Sequence, residues 1–173
     1  MTGNGESLLR WLPLAAVALH LIEEFAWPGG FGDWYRWYRP ERAASVTTGF
    51  LVRINVLFVA MAVAAGALGF SPYGVALWLV VASIAGFNGG FHLWATVNTR
   101  RYSPGLVTGC LIYIPLAAFG FWYFWRTRLA GPSVIAQAAL IGPGYHIYSA
   151  WNHRRRAAAK ASKSDGTNPE GIP

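Results

Sequence analysis

Long apolar stretches separated by short polar ones make up most of the chain. Each stretch reaches the roughly 20 residues that a helix needs to cross a bilayer. The stretches cover about residues 8–27, 47–70, 73–97, 105–125 and 133–152. Helix-breaking residues stand between several of them, as in Pro28-Gly29-Gly30 and Gly131-Pro132. We therefore predict an all-α fold, a polytopic membrane helix bundle of about five transmembrane helices.

Residues 31–45, after the first apolar stretch, alternate aromatic and basic side chains. The aromatic ones are Trp34, Tyr35, Trp37 and Tyr38, and the basic ones are Arg36, Arg39 and Arg42. Rings that face the apolar region and guanidinium groups that face phosphate are typical of a helix lying at the membrane surface. We predict a short interfacial helix here, and a plain connecting loop is the alternative.

The last twenty residues differ in composition from the rest of the chain. Residues 154–173 are basic at first and end in Gly, Asn, Pro and Glu, a composition typical of disorder. We therefore predict a transmembrane domain over residues 1–153 and a basic, disordered cytoplasmic tail over residues 154–173.

Composition and charge support a membrane location and exclude nucleic-acid binding. Hydrophobic residues make up 54% of the chain and charged residues 12%, and the net charge is +7. The basic residues lie between and after the apolar stretches and form no continuous basic face. With five crossings and a cytoplasmic C-terminus, the cytoplasmic side would hold Arg36, Arg39, Arg42, Arg53, Arg100, Arg101, Arg154, Arg155, Arg156, Lys160 and Lys163. The positive-inside rule therefore predicts an outside N-terminus.

The first apolar stretch contains His20, Glu23 and Glu24. A charged group in the middle of a membrane costs about 2.5 to 3.5 kcal/mol on insertion scales, unless it is paired, protonated or bound to a cation. On a helix, Glu23 lies about 60° to one side of His20 and Glu24 about 40° to the other, so all three can face one partner. This pattern predicts a ligand cluster.

Two more histidines lie at the same predicted depth. In the assumed topology His20, His92 and His146 all come about five to seven residues before the cytoplasmic end of their helix, or roughly 8 to 11 Å. Asn55 falls near the same plane, and Asn88 lies one turn from His92 on the same face. The polar side chains are therefore predicted to meet in one layer of the bundle.

Three imidazoles and two carboxylates are suitable ligands for Zn²⁺ or non-haem iron. We predict His20, Glu23, Glu24, His92 and His146 as metal ligands, with Glu23 and Glu24 as the catalytic carboxylates. A second group would orient these ligands or contact the substrate: Asn55, Asn88 and Arg53. A purely structural network of the carboxylates with Arg53 is the alternative.

Cys110 is the single cysteine, so no disulfide within the chain and no cysteine-based zinc site can form.

The chain resembles the HXXEE family of small bacterial membrane proteins. The resemblance is carried by His20-Leu-Ile-Glu23-Glu24, by Asn88 and His92, by Arg101-Tyr-Ser-Pro-Gly-Leu-Val-Thr-Gly109 and by a late His146. It implies a location in the bacterial inner membrane. It implies no particular reaction, because the family has no settled activity.

Two functions follow from the predicted cluster. The first is a membrane-embedded metalloenzyme that acts on a lipidic or amphipathic small molecule. Zinc would favour hydrolysis with a glutamate as base, and iron would favour oxidation by O₂, with hydrolysis slightly preferred. The second is a transporter or binding protein, coupled to protons or cations, that uses the same side chains without catalysis. A structural or regulatory membrane protein is a third reading.

Overall fold

The computed structural model describes residues 3–165, with side chains described for residues 5–159. This part of the chain is all-helical, without strands. The helices are α1 (Gly3–Phe25), α2 (Phe31–Tyr38), α3 (Thr48–Leu68), α4 (Pro72–Thr99), α5 (Leu106–Arg126) and α6 (Pro132–Asp165). A 3₁₀ helix, Pro40–Ser45, follows α2. Helix α5 has a π-helical segment, Gly109–Tyr113, between its α-helical parts Leu106–Thr108 and Ile114–Arg126.

Three helices in the described part, α3, α4 and α5, are long and apolar enough to cross a membrane. This is fewer than the five predicted. Helix α1 differs because Arg10 and the acidic pair Glu23 and Glu24 interrupt its apolar residues. Helix α6 differs because polar residues such as Gln137 and His146, together with Gly142 and Pro143, dilute its apolar part.

Helix α6 extends well beyond its predicted end. It continues to Asp165, so residues 154–165, assigned above to a disordered tail, are helical in the structure. The alanine run at residues 157–159 has high helix propensity and accounts for the continuation. The remaining predicted tail, residues 166–173, lies outside the described residues.

Helix α4 is the centre of the bundle, with α3, α5 and α6 packed around it. Its fully buried side chains include Val75, Trp78 and Leu79. Glycine allows α4 and α5 to touch through their backbones, because a Cβ on Gly89 would lie 2.5 Å from the carbonyl oxygen of Gly109. This close approach brings the start of α5 beside the part of α4 that carries His92.

The short helix predicted after the first apolar stretch is present as α2. Its rings at Trp34, Tyr35 and Tyr38 lie 6.0 to 6.3 Å from the ring of Phe91 on α4, measured between centroids. The Phe31 ring lies 5.7 Å from the imidazole of His92. Helix α2 therefore covers one side of the polar layer, and its position at a membrane surface stays a prediction.

Candidate metal centre

Three buried side chains meet where α1 crosses α4. His20 and Glu24 lie one helical turn apart on α1, and His92 reaches them from α4. Glu24 Oε1 is 3.3 Å from His20 Nε2 and 3.1 Å from His92 Nε2. All three are buried: His20 is 1% exposed, Glu24 5% and His92 0%. Two ring nitrogens and one carboxylate oxygen thus point at one small volume.

The spacing of these atoms suits a metal ion. One ligand atom from each of the three residues lies within 4.8 Å of the other two. Tetrahedral ligands at about 2.0–2.1 Å from zinc are about 3.3 Å from one another. The two distances to Glu24 Oε1, 3.3 and 3.1 Å, are close to that value. The cluster could therefore hold a metal without a large movement of these three side chains.

The hydrogen bonds of His20 fix which nitrogen is available. Its Nδ1 is 2.7 Å from Thr108 Oγ1, and Thr108 uses its only hydroxyl proton to donate to Glu23. Thr108 Oγ1 therefore accepts from the Nδ1–H of His20. In the neutral ring this leaves the Nε2 lone pair directed at the cluster, where it is also 3.0 Å from the side-chain amide of Asn88.

His92 is held in a similar way. Its Nδ1 lies 2.8 Å from Ser103 Oγ, which can accept the ring proton. His92 Nε2 is buried and has no hydrogen-bond partner within the described part of the chain, although Glu24 Oε1 is close. A buried nitrogen without a hydrogen bond is costly. A cation bound between the two imidazoles would remove this cost.

Gly105 and Tyr113 close the cluster from the side of α5. A Cβ at Gly105 would lie 2.7 to 2.9 Å from ring atoms of both His20 and His92, so only glycine fits there. Gly105 also has a φ of 102°, which disfavours other residues. The Tyr113 ring stacks on His20 with centroids 4.2 Å apart. Both imidazoles are therefore held in place by packing as well as by hydrogen bonds.

Glu23, predicted as a metal ligand and catalytic carboxylate, lies outside the group formed by His20, Glu24 and His92. Its carboxylate accepts hydrogen bonds from the backbone N–H groups of Val107 and Thr108, at 2.9 and 2.7 Å, and from the hydroxyls of Thr108 and Tyr102. Burial and the hydrogen bond to Glu23 raise the pKa of Tyr102, so its hydroxyl keeps its proton. Glu23 thus caps the start of α5 and indirectly positions His20.

His146 and Arg53 also lie outside the cluster. His146 Nε2 is 3.3 Å from the carbonyl oxygen of Ile84, and the ring stacks near Phe87. Arg53 is exposed, and its Nε donates to the carbonyl oxygen of Gly49 on its own helix. Arg53 therefore pairs with neither carboxylate of the motif, and the predicted carboxylate–Arg53 network does not form.

A cavity of about 770 Å³ lies beside the cluster. Glu24 and Asn88 belong to its wall, so they stand between the buried imidazoles and the open space. Asn55 and His146 also line it, and most of the remaining wall is apolar, as at Phe58. The predicted polar residues therefore fall into two groups. His20, Glu24 and His92 form the cluster, and Asn55, Asn88 and His146 line the cavity beside it.

The contacts that support the cluster come largely from residues 102–113, to which sequence reasoning gave no role. Ser103 and Thr108 orient the imidazoles, and Gly105 packs against them. The resemblance includes residues 101–109, but these contacts arise only when α5 packs against α1 and α4. The one local signal is Gly105 at a helix start, which does not indicate a ligand neighbour.

Comparison with known proteins gives a family and one relative. Residues 11–123 match the HXXEE family, described as a protein of unknown function with an HXXEE motif. The motif corresponds to His20, Glu23 and Glu24. An uncharacterised protein of Bacillus subtilis, YrkK, is 26% identical over 134 residues, which cover 73% of this chain and 82% of that protein. No solved structure matches the chain.

Proposed function

The chain belongs to the HXXEE family, and we propose that it is a membrane-embedded metalloenzyme that hydrolyses a lipidic or amphipathic small molecule. The observation that carries the proposal is the convergence of His20 Nε2, His92 Nε2 and Glu24 Oε1 beside a mostly apolar cavity whose wall includes Glu24. Three protein ligands with an accessible fourth position are typical of catalytic zinc sites.

The proposal places the protein in the bacterial inner membrane. Helices α1 and α6, with 23 and 34 residues, would cross the bilayer together with the three apolar helices. Their polar residues would face the bundle interior, as His20 and Glu24 do. Eleven of the fourteen Lys and Arg residues would then lie on one side, which the positive-inside rule assigns to the cytoplasm. The N-terminus would lie outside.

Each residue of the cluster would have a defined task. Zn²⁺ held by His20, His92 and Glu24 would supply a Lewis acid and activate water at neutral pH. Glu24 is the only acidic side chain on the cavity wall within the described part of the chain. Its Oε1 faces the two imidazoles, so its other oxygen, Oε2, would be the one to accept a proton. Asn88 is the neighbouring amide and can orient a substrate carbonyl or the His20 ring.

The cavity supports an amphipathic substrate. Its wall is built mainly from apolar side chains of α3, α4 and α6, and only a few polar groups interrupt it. Helices α3 and α6 both pack on α4 but scarcely contact one another. Exposed apolar residues such as Leu57 and Phe87 belong to the wall. A substrate dissolved in the bilayer could enter through this gap between α3 and α6.

Metal content tests the proposal first. The protein should be purified in mild detergent without a histidine tag, and its metals measured by elemental mass spectrometry alongside the His92→Ala variant. We expect close to one zinc per chain in the parent and little in the variant. A chelator should abolish hydrolysis of a lipid ester panel, and Zn²⁺ alone should restore it. Iron instead of zinc would change the reaction to oxidation of the same class of substrate.

The metal measurement also distinguishes the proposed enzyme from the second candidate function, a transporter or binding protein. If no metal copurifies and neither Zn²⁺ nor Fe²⁺ binds on reconstitution, the proposed enzyme is ruled out. The His20–Glu24–His92 contacts would then be those of a proton relay or a cation-coupled transporter. Proton-flux measurements in vesicles would be the next step.

A further inference from the structure

The large cavity has a second polar region, formed by Arg42 and His153, away from the candidate metal centre. Arg42 lies in the 3₁₀ helix after α2, and His153 lies on α6. Both line the cavity, and they are 8% and 5% exposed. The candidate metal centre does not account for either residue, because both are absent from the cluster and from the hydrogen bonds around it.

Arg42 is a buried cation with little compensation. Its Nε has no hydrogen bond within the described residues, and its nearest carboxylate oxygen, Glu41 Oε1, is 3.5 Å away. Glu41 is itself half exposed to solvent. A guanidinium removed from water costs free energy unless hydrogen bonds and a counter-ion replace its hydration. An anion in the cavity would supply the hydrogen bond that Nε lacks and would offset the guanidinium charge.

His153 can present a second group to the same anion. Ser45 Oγ donates to the carbonyl oxygen of Arg42, so it accepts the Nδ1–H of His153 at 2.8 Å. His153 Nε2 has no hydrogen-bond partner among the described residues. A bound anion would favour the protonated, donating form of this imidazole.

The charge balance at this end of the cavity is positive. Arg53 and Arg156 line a neighbouring cavity of about 310 Å³, which shares Phe50 with the large one. Glu41 is the only acidic residue with a contact to Arg42 in the described part of the chain. Basic pockets at the cytoplasmic surface of membrane proteins are suited to phosphorylated headgroups.

We propose that Arg42 and His153 bind the phosphate group of an amphipathic substrate whose apolar part fills the cavity towards Glu24. The inference rests on the proposed function, because it assigns the substrate class of the same cavity. Arginine suits phosphate because its planar guanidinium can donate two parallel hydrogen bonds. The phosphate would fix how far the substrate enters and so which bond faces Glu24.

Binding of lipids to metal-stripped protein in an uncharged detergent tests the inference without requiring turnover. The probes are dioctanoyl phosphatidic acid, dioctanoylglycerol and inorganic phosphate, measured by isothermal titration calorimetry. We expect the phosphatidic acid to bind at least tenfold more tightly than either of the others. Equal binding of the two lipids would overturn the inference, and equal binding of inorganic phosphate would show a phosphate site without a lipid substrate.

Variants locate the site. Arg42→Gln should weaken binding of phosphatidic acid by about 10- to 100-fold, the range expected when a hydrogen bond to a charged group is lost. Arg154→Gln, an exposed residue with the same charge change, should leave it unaltered. Similar losses in both variants would indicate general electrostatic attraction and refute the site. If Arg42→Gln does not fold, Arg42→Lys and His153→Gln provide the same test.

The metal measurement keeps the two proposals apart. Arg42→Gln and the parent should contain equal amounts of metal, because Arg42 makes no contact with the cluster. Metal-containing protein that fails to distinguish the two lipids would refute the phosphate site alone. Protein without metal that binds phosphatidic acid through Arg42 would refute the enzyme and retain the binding site.

Discussion

The two neighbouring carboxylates of the motif occupy opposite environments. Glu23 is surrounded by donors, with hydrogen bonds to two backbone N–H groups and two hydroxyls. Glu24 has a different environment, because its Oε1 faces two imidazole nitrogens, each of which donates or accepts a hydrogen bond according to its tautomer. One carboxylate is therefore satisfied by the protein itself, and the other is placed where it could share a cation with the two imidazoles. Two adjacent glutamates can thus have different roles: Glu23 stabilises the fold, and Glu24 is available for chemistry.

The two environments are coupled through Thr108. Its hydroxyl donates to Glu23 and accepts from His20, whose other nitrogen faces Glu24. The hydrogen bonds around Glu23 therefore orient His20, whose ring faces Glu24, through the Thr108 hydroxyl. This coupling offers a physical reason why one helix carries a histidine and both acids within five residues.

Glu24→Gln should have the largest effect on metal binding. The amide keeps the shape of the carboxylate but removes the negative charge that offsets a divalent cation between His20 and His92. We expect metal affinity to fall by more than about 100-fold, more than the loss usually seen when an outer partner is changed. Zinc titration followed by competition with a chromogenic chelator measures it. Glu23→Gln is the matched comparison and should lose less, about tenfold, because Glu23 acts on His20 only through Thr108.

Glu23→Ala should have the largest effect on stability. The substitution leaves the backbone N–H groups of Val107 and Thr108 and the hydroxyl of Tyr102 without their acceptor. A buried donor left without an acceptor costs about 1 to 3 kcal/mol, and a donor on an exposed residue such as Tyr102 costs less. Thermal unfolding in detergent should show a clearly lower midpoint than for Glu24→Ala when both are metal-free. The opposite order would mean that the hydrogen bonds around Glu23 contribute little.

Thr108→Val should have an intermediate effect on metal affinity, because it changes only the orientation of the His20 ring. The variant keeps the side-chain shape and removes the hydroxyl between Glu23 and His20. We expect metal affinity to fall by about tenfold, the lower end for loss of a group that orients a ligand. Thr108→Ser should restore it, because serine also donates and accepts. No recovery with serine would assign the loss to packing instead of ring orientation.

The sequence predicted most of the helices but only part of the site. The bounds of a helix depend on its own residues, whereas the direction of its side chains depends on rotation about the helix axis. Apolar runs mark α3, α4 and α5 to within a few residues. Positions along the helices indicated that His20, Glu24 and His92 could meet. Position along a helix does not determine rotation about its axis, which is set by packing with neighbouring helices. For this reason Glu23 faces α5, His146 bonds to Ile84, and Arg53 is exposed.

His146→Ala should have the smallest effect, and it tests the rotation of α6 directly. The structure directs His146 Nε2 to the Ile84 carbonyl oxygen, so its removal should leave the metal content equal to that of the parent. Substrate affinity could still change, because the ring lines the cavity. A loss of metal comparable to that in Glu24→Gln would contradict the three-residue cluster. It would mean that metal binding turns α6 and recruits the third imidazole, as the sequence predicts.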